Sequence, residues 1–196
     1  MLLNRKLFFV RERVAVLKLT DTYDILDPET RQPIGIAKEE PSKTVKFLRL
    51  LMNKSMLPTT LNVYEDETRP PLFTIKRPFT FVKSKLSITD STGASLGYMK
   101  NKLRTIHAGL TVHDPTDRQV AEVKGDWKGW NFQFLGEGGK PLGTITKKWG
   151  GVGRELFTSA DNYIVQIDDA VSSDPKLATL LLAAALSIDV VYRERQ

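Results

Sequence analysis

Five near-copies of one short pattern fill most of the chain and confine it to a hairpin-built β fold. Each copy alternates apolar and polar residues, usually reaches an acidic residue, and turns through polar positions. It then returns through a second short apolar run to a lysine. The copies are Tyr23–Lys38, Leu61–Lys76, Leu86–Lys100, Leu110–Lys124 and Phe132–Lys147. The acidic position holds Asp27, Glu65, Asp90 and Asp114, with Gly136 in the fifth copy. Alternation at period two marks a strand with one buried face. Asp27-Pro28, Thr92-Gly93, Asp114-Pro115 and Gly138-Gly139 are turn-forming pairs between the halves. Five hairpins make roughly ten strands, enough to close a barrel and remove its edges. Val14–Leu19 and Tyr163–Ile167 read as one further strand each.

The C-terminus supplies something to fill such a barrel. Leu177 to Val191 has no polar face when plotted at helical period: Leu177, Leu180, Leu181, Ala184 and Ile188 cover one side, and Ala178, Leu182, Ala185, Leu186 and Val190 the rest. A helix apolar all round is buried in protein or in lipid. Asp174 is placed to cap it and Pro175 suits its first position. A membrane span needs about 20 apolar residues, and Asp189 interrupts this run, so the expectation is an interior helix. The fold class that follows is mainly β (α+β): a closed antiparallel β-barrel of about twelve strands, built from repeated hairpins around a buried hydrophobic C-terminal helix.

No Pro/Gly/Ser linker interrupts the repeats, so a single domain over residues 1–196 is expected. The absence of cysteine excludes disulfides, thiol catalysis and thiolate metal sites. The first residues, MLLNRKLFFVRERVAVLK, have no uninterrupted apolar core and no small-residue cleavage site. The expectation is a cytoplasmic protein, a monomer, able to lie peripherally on the inner face of a membrane. A net charge of +6 suits an anionic partner, either lipid head groups or nucleic acid, and does not choose between them. A solvated basic surface without such a partner fits equally well.

Catalytic chemistry has little to work with. His107 and His113 are the only histidines, and both read as polar residues at strand ends. No nucleophile elbow, P-loop or zinc-protease motif occurs. Gly150-Gly151-Val152-Gly153 lacks dinucleotide-loop spacing and reads as a mobile or tightly turned loop, with phosphate binding as the alternative. A non-enzymatic protein is expected.

The copies begin at 61, 86, 110 and 132 at nearly even steps, whereas the first begins at 23. The longer first interval carries an inserted segment, Lys43–Lys54. It reads as a short helix with Ser42 as cap and Pro58 beyond its end. Val45, Leu48, Leu51 and Met52 line one face, and Lys43, Lys46, Arg49 and Lys54 supply charge. Such a helix either lies on an anionic membrane surface or packs across one end of the barrel with its lysines solvated. Lys147 and Lys148 form a second basic patch beside Trp149, and Trp127 and Trp130 flank Lys128-Gly129 at the junction of the fourth and fifth copies. Tryptophans so placed act as rim packing, interfacial anchors or stacking platforms for single-stranded nucleic acid. Asp161, Asp168 and Asp169, with Asp174, are a weak calcium signal, because carboxylates suit a hard cation but the spacing is not that of an EF-hand.

The stretch Ile145–Tyr163, ITKKWGGVGRELFTSADNY, resembles the phospholipid scramblase family and its LURP-one-related relatives. Its Lys-Trp pair, small-residue loop, Arg-Glu, Phe-Thr and Ala-Asp-Asn-aromatic run carry the likeness, and the segment ending Ile188–Glu194 continues it. The resemblance implies the tubby C-terminal-like fold, a roughly twelve-stranded barrel around a buried C-terminal helix. It also implies binding to anionic membrane lipid, a phosphoinositide or phosphatidylserine, or lipid movement between leaflets. Tubby-like relatives imply a regulatory module for nucleic acid or protein as the other reading. The family's Pro-rich arm and palmitoylated cysteine cluster have no counterpart in this sequence. Ser159 stands where the family's proposed calcium segment begins with aspartate, while Asp161 is kept and Ile167-Asp168 replaces a Phe-Pro. Calcium-triggered scrambling is therefore not the expected activity.

Overall fold

Every one of the five repeats forms two antiparallel strands, and the alternation within each decides which side chains enter the core. The computed structural model describes residues 1–13, 20–52, 56–79, 85–101, 109–126, 130–147 and 162–192. The repeats supply β2 (Thr22–Leu26) with β3 (Pro33–Glu39), β4 (Thr59–Tyr64) with β5 (Phe73–Arg77), and β6 (Lys85–Asp90) with β7 (Ser95–Asn101). They continue with β8 (Gly109–His113) and β9 (Gln119–Asp126), then β10 (Asn131–Leu135) and β11 (Pro141–Thr146). The ring is completed by β1 (Leu7–Glu12) and β12 (Asn162–Ile167), which pair with each other as Phe8↔Val165 and Val10↔Tyr163. The twelve strands form one closed antiparallel barrel in sequence order, so no strand presents an unpaired edge.

The twelfth strand matches expectation. On the N-terminal side it is Leu7–Glu12 that pairs, and the expected strand Val14–Leu19 lies outside the described residues. Leu7–Glu12 escapes a period-two search because both its faces are apolar. Phe8 and Val10 point into the main core, while Phe9 joins Leu26 and Ile164 in a separate cluster on the other face.

A repeated device shapes the hairpins. The register shifts next to the turn in four of them, at Ile25/Leu26, Ile88/Thr89, Val112/His113 and Phe134/Leu135. Such bulges bend and twist a strand, which a barrel needs in order to close. Gly97 sits opposite Ile88 beside one of them, with φ of +145°. A Cβ there would lie 2.2 Å from the His113 carbonyl oxygen and 3.2 Å from Leu180. Only glycine lets β7 and β8 come this close, and its missing side chain also leaves room for Leu180 of the central helix.

That helix, α3 (Pro175–Tyr192), is capped as expected: the Asp174 carboxylate accepts from the backbone N–H of Lys176 and Leu177, each at 3.1 Å. Residues Leu180 to Ile188 are buried around the full circumference and share one core with side chains from all twelve strands. Leu180, Leu181, Leu182, Leu186 and Ile188 each gain about 1.5–3 kcal/mol from that burial. The two buried polar residues of the helix, Thr179 and Ser187, are satisfied within it. Thr179 donates to the Pro175 carbonyl and Ser187 to the Ala183 carbonyl, both at 2.7 Å. A short α2 (Asp169–Ser172) precedes α3. No helix among the described residues is long and apolar enough to cross a membrane.

Candidate functional site

Antiparallel closure gives the barrel two distinct ends. At one end lie the hairpin turns 27–32, 65–72, 91–94, 114–118 and 136–140, which join even-numbered strands to the odd-numbered strands that follow. At the other end all odd-numbered strands finish, so α1 (Lys43–Leu48), Phe79, Trp130 and Lys147 belong to that end together.

The acidic position of the repeats belongs to the turn end and serves the turns. Asp90 Oδ1 accepts from the N–H groups of Thr92 and Ala94 and from the Thr92 hydroxyl, at 2.6–3.0 Å. Asp114 does the same with Thr116 and Arg118, and Asp27 accepts from the N–H of Glu29 and Thr30. In the second copy Asp66 takes this role through the Thr68 N–H, while Glu65 accepts from the N–H of Leu2. These bonds favour the ionised carboxyl and hold Asp27, Asp66, Asp90 and Asp114 below the ordinary aspartate range. Asp24 on β2 is also held low, because its bonds to Arg13 and Arg11 outweigh the burial that would raise it.

The inserted segment is a helix, shorter than expected. Ser42 caps it by accepting from the Val45 N–H at 3.3 Å. The α-helix ends at Leu48, and tight backbone bonds carry the chain on to Met52. Lys43 and Lys46 are exposed. Arg49 corrects the expected basic face: its side chain turns inward, 2% exposed, onto the Glu39 side chain, 1% exposed, with one N–H···O bond of 3.0 Å. Glu39 also accepts from the Asp21 N–H at 3.1 Å, so the Arg49–Glu39 pair ties the connector to the end of β3. The apolar face is also not the one expected. Val45 and Leu48 are half-buried, and Phe47, Leu50 and Leu51 are 62%, 67% and 70% exposed. Lys54 lies outside the described residues. The signal for these exposed residues was present in the sequence as apolar side chains on both sides of the helical plot, which one face alone cannot use.

At the same end the Lys147 ammonium lies 4.2 Å from the centroid of the Trp130 ring, in cation–π contact. Trp130 stacks on Tyr163 at 5.4 Å and meets Phe132 edge-on at 5.9 Å, so it closes the rim of the core, as its bulk suggests. Trp127, Lys148 and Trp149 lie outside the described residues, as do His107 and the Gly150–Gly153 run.

The remaining candidates have structural partners. Asp168 caps α2 through the Ala170 N–H, and Asp169 pairs with Lys6 at 2.8 Å. Asp161 lies outside the described residues, and among those described no group of three or more His, Asp or Glu side chains is placed to hold a metal ion. His113 stacks on Tyr98 with ring centroids 4.8 Å apart, and its nitrogens meet the Asp117 carbonyl and the Thr111 hydroxyl. A cleft of about 410 Å³ opens at the turn end where α3 enters, lined by Asp114, Arg118, Glu137, Asp174, Lys176 and Leu180 among others.

With this geometry established, likeness to known proteins becomes informative. A family model described as Scramblase matches residues 14–195. The chain belongs to the scramblase family. Among its relatives is the altered inheritance rate of mitochondria protein 25 of Saccharomyces cerevisiae, 25% identical over 88% of this chain and 64% of that protein. Phospholipid scramblase 1 of Mus musculus is 26% identical over 70% of this chain and 45% of its own length, and the Rattus norvegicus protein of that name is equally similar. The alignments thus span less than two thirds of these relatives. No solved structure matches the chain.

Proposed function

We propose that this scramblase-family barrel binds anionic phospholipid, phosphatidylserine or a phosphoinositide, at the cytoplasmic surface of a membrane and catalyses no covalent reaction. The observation that carries the reading is the α1 connector, which holds Lys43 and Lys46 in solvent beside exposed Phe47, Leu50 and Leu51. Lysines near an anionic surface each contribute about 1 kcal/mol. Lys147 sits at the same barrel end, and Lys54 and Lys148, both outside the described residues, complete the proposed head-group contacts. Arg49 acts here through Glu39, by holding the connector in place. Calcium has no part in this reading. The names of the mammalian relatives support a second reading, movement of phospholipid between leaflets.

Vesicle co-sedimentation tests the proposal, comparing pure phosphatidylcholine with mixtures containing phosphatidylserine or a phosphoinositide. Binding confined to anionic vesicles, and reduced about ten-fold or more by Lys43→Glu with Lys46→Glu, is the expected result. Equal binding to neutral and anionic vesicles, or none to either, overturns it. Proteoliposomes with labelled lipid test the second reading by whether lipid crosses between leaflets.

A further inference from the structure

Among the described residues six large apolar side chains are exposed: Met1, Phe47, Leu50, Leu51, Met52 and Phe79. Met1 is the first residue, its ammonium 3.4 Å from Glu65 at the turn end. The other five follow β3 or β5, and therefore share the end of the barrel where odd-numbered strands finish. Four of them are packed into Phe47–Met52. A connector that merely crossed the barrel mouth would turn these residues onto the core. This one spends its buried ion pair in the opposite sense, drawing Arg49 in and leaving Phe47, Leu50 and Leu51 out.

The exposed face has the composition of an interfacial anchor. Phe47 lies one helical turn from Lys43, and Leu50 continues the row past Lys46, so cations flank the apolar residues on one side. Aliphatic and aromatic side chains sink into the acyl boundary while lysines stay with the head groups. We propose that Phe47, Leu50 and Leu51 insert into the anionic leaflet, so that the barrel stands on the bilayer by this end with its hairpin turns pointing away. The proposal rests on the lipid-binding reading above and adds to it a depth, an orientation and a binding component that salt does not screen. Electrostatic attraction alone would fade as ionic strength rises, whereas apolar insertion would not.

The chain has no cysteine, so single cysteines can be labelled uniquely. An environment-sensitive fluorophore is placed at Leu50→Cys and, as control, at Ser91→Cys on an exposed hairpin turn at the other end. Phosphatidylcholine vesicles containing phosphatidylserine are then added. The label at 50 is expected to shift to the blue and to be quenched by nitroxide-bearing acyl chains, while the label at 91 does neither. The triple variant Phe47→Ser, Leu50→Ser, Leu51→Ser alters exposed positions only. It is expected to bind these vesicles about ten-fold or more weakly and to lose the fraction that survives high salt. If the parent binds while the label at 50 stays in water and the triple variant binds like the parent, insertion is wrong and the lipid-binding reading stands. If the parent binds no vesicle, both fall. If the parent forms a dimer in sedimentation that the triple variant loses, the face is covered by a second copy and insertion is overturned.

Discussion

Arg49 sits ten positions after Glu39, in a run where lysines alternate with apolar residues. By charge pattern alone it belongs with Lys43 and Lys46. Its actual partner is set by where the connector returns over the end of β3, a tertiary contact that no local pattern carries. Desolvating both charges makes the pair costly to break, because the survivor is left buried without compensation. Arg49→Ala is expected to lower stability by about 3 kcal/mol. Lys46→Ala, at an exposed position, stays within about 0.5 kcal/mol. Urea unfolding of the two variants separates the roles, since equal small losses would mean that Arg49 is as solvated as its neighbours.

Elements built from local rules were legible, and those that depend on a partner were less so. The five hairpins, β12 and α3 with its Asp174 cap follow from period, turn residues and capping chemistry. The span Leu7–Glu12 of β1 was not legible because Phe8, Phe9 and Val10 are all buried and show no alternation. For α1, periodicity identified a helix with two kinds of face but not which face the barrel covers. The turn aspartates of the first four repeats show how an acidic side chain serves folding. Unfolded, Asp27, Asp66, Asp90 and Asp114 would titrate near the ordinary value of 3.8, whereas in the folded chain they remain ionised below it. Their contribution to stability is therefore complete above the ordinary value and is lost as pH falls through the depressed folded values. The melting temperature is expected to decline as pH drops below about 4, and the double variant Asp90→Ala with Asp114→Ala should show a shallower decline from a lower starting point. A decline unchanged by the double variant would mean that other carboxyls govern acid unfolding.

For the molecule as a whole, what matters is that α3 is the core. Its residues Leu180–Ile188 are enclosed by strands, and extracting them to meet lipid would empty the barrel. The exposed connector offers a route to the bilayer that leaves the barrel intact. Lys43, Lys46 and Lys147 fall at one end because each follows an odd-numbered strand, a relation that emerges only once the ring is closed. Hydrogen exchange of the full chain, with and without phosphatidylserine-containing vesicles, decides whether the folded barrel itself engages the membrane. The expected result is added protection over residues 43–52 on binding, with the amides of α3 as slow to exchange as in the free protein. Loss of protection along α3 in the presence of vesicles would contradict it, since the helix would then have left the barrel for the lipid.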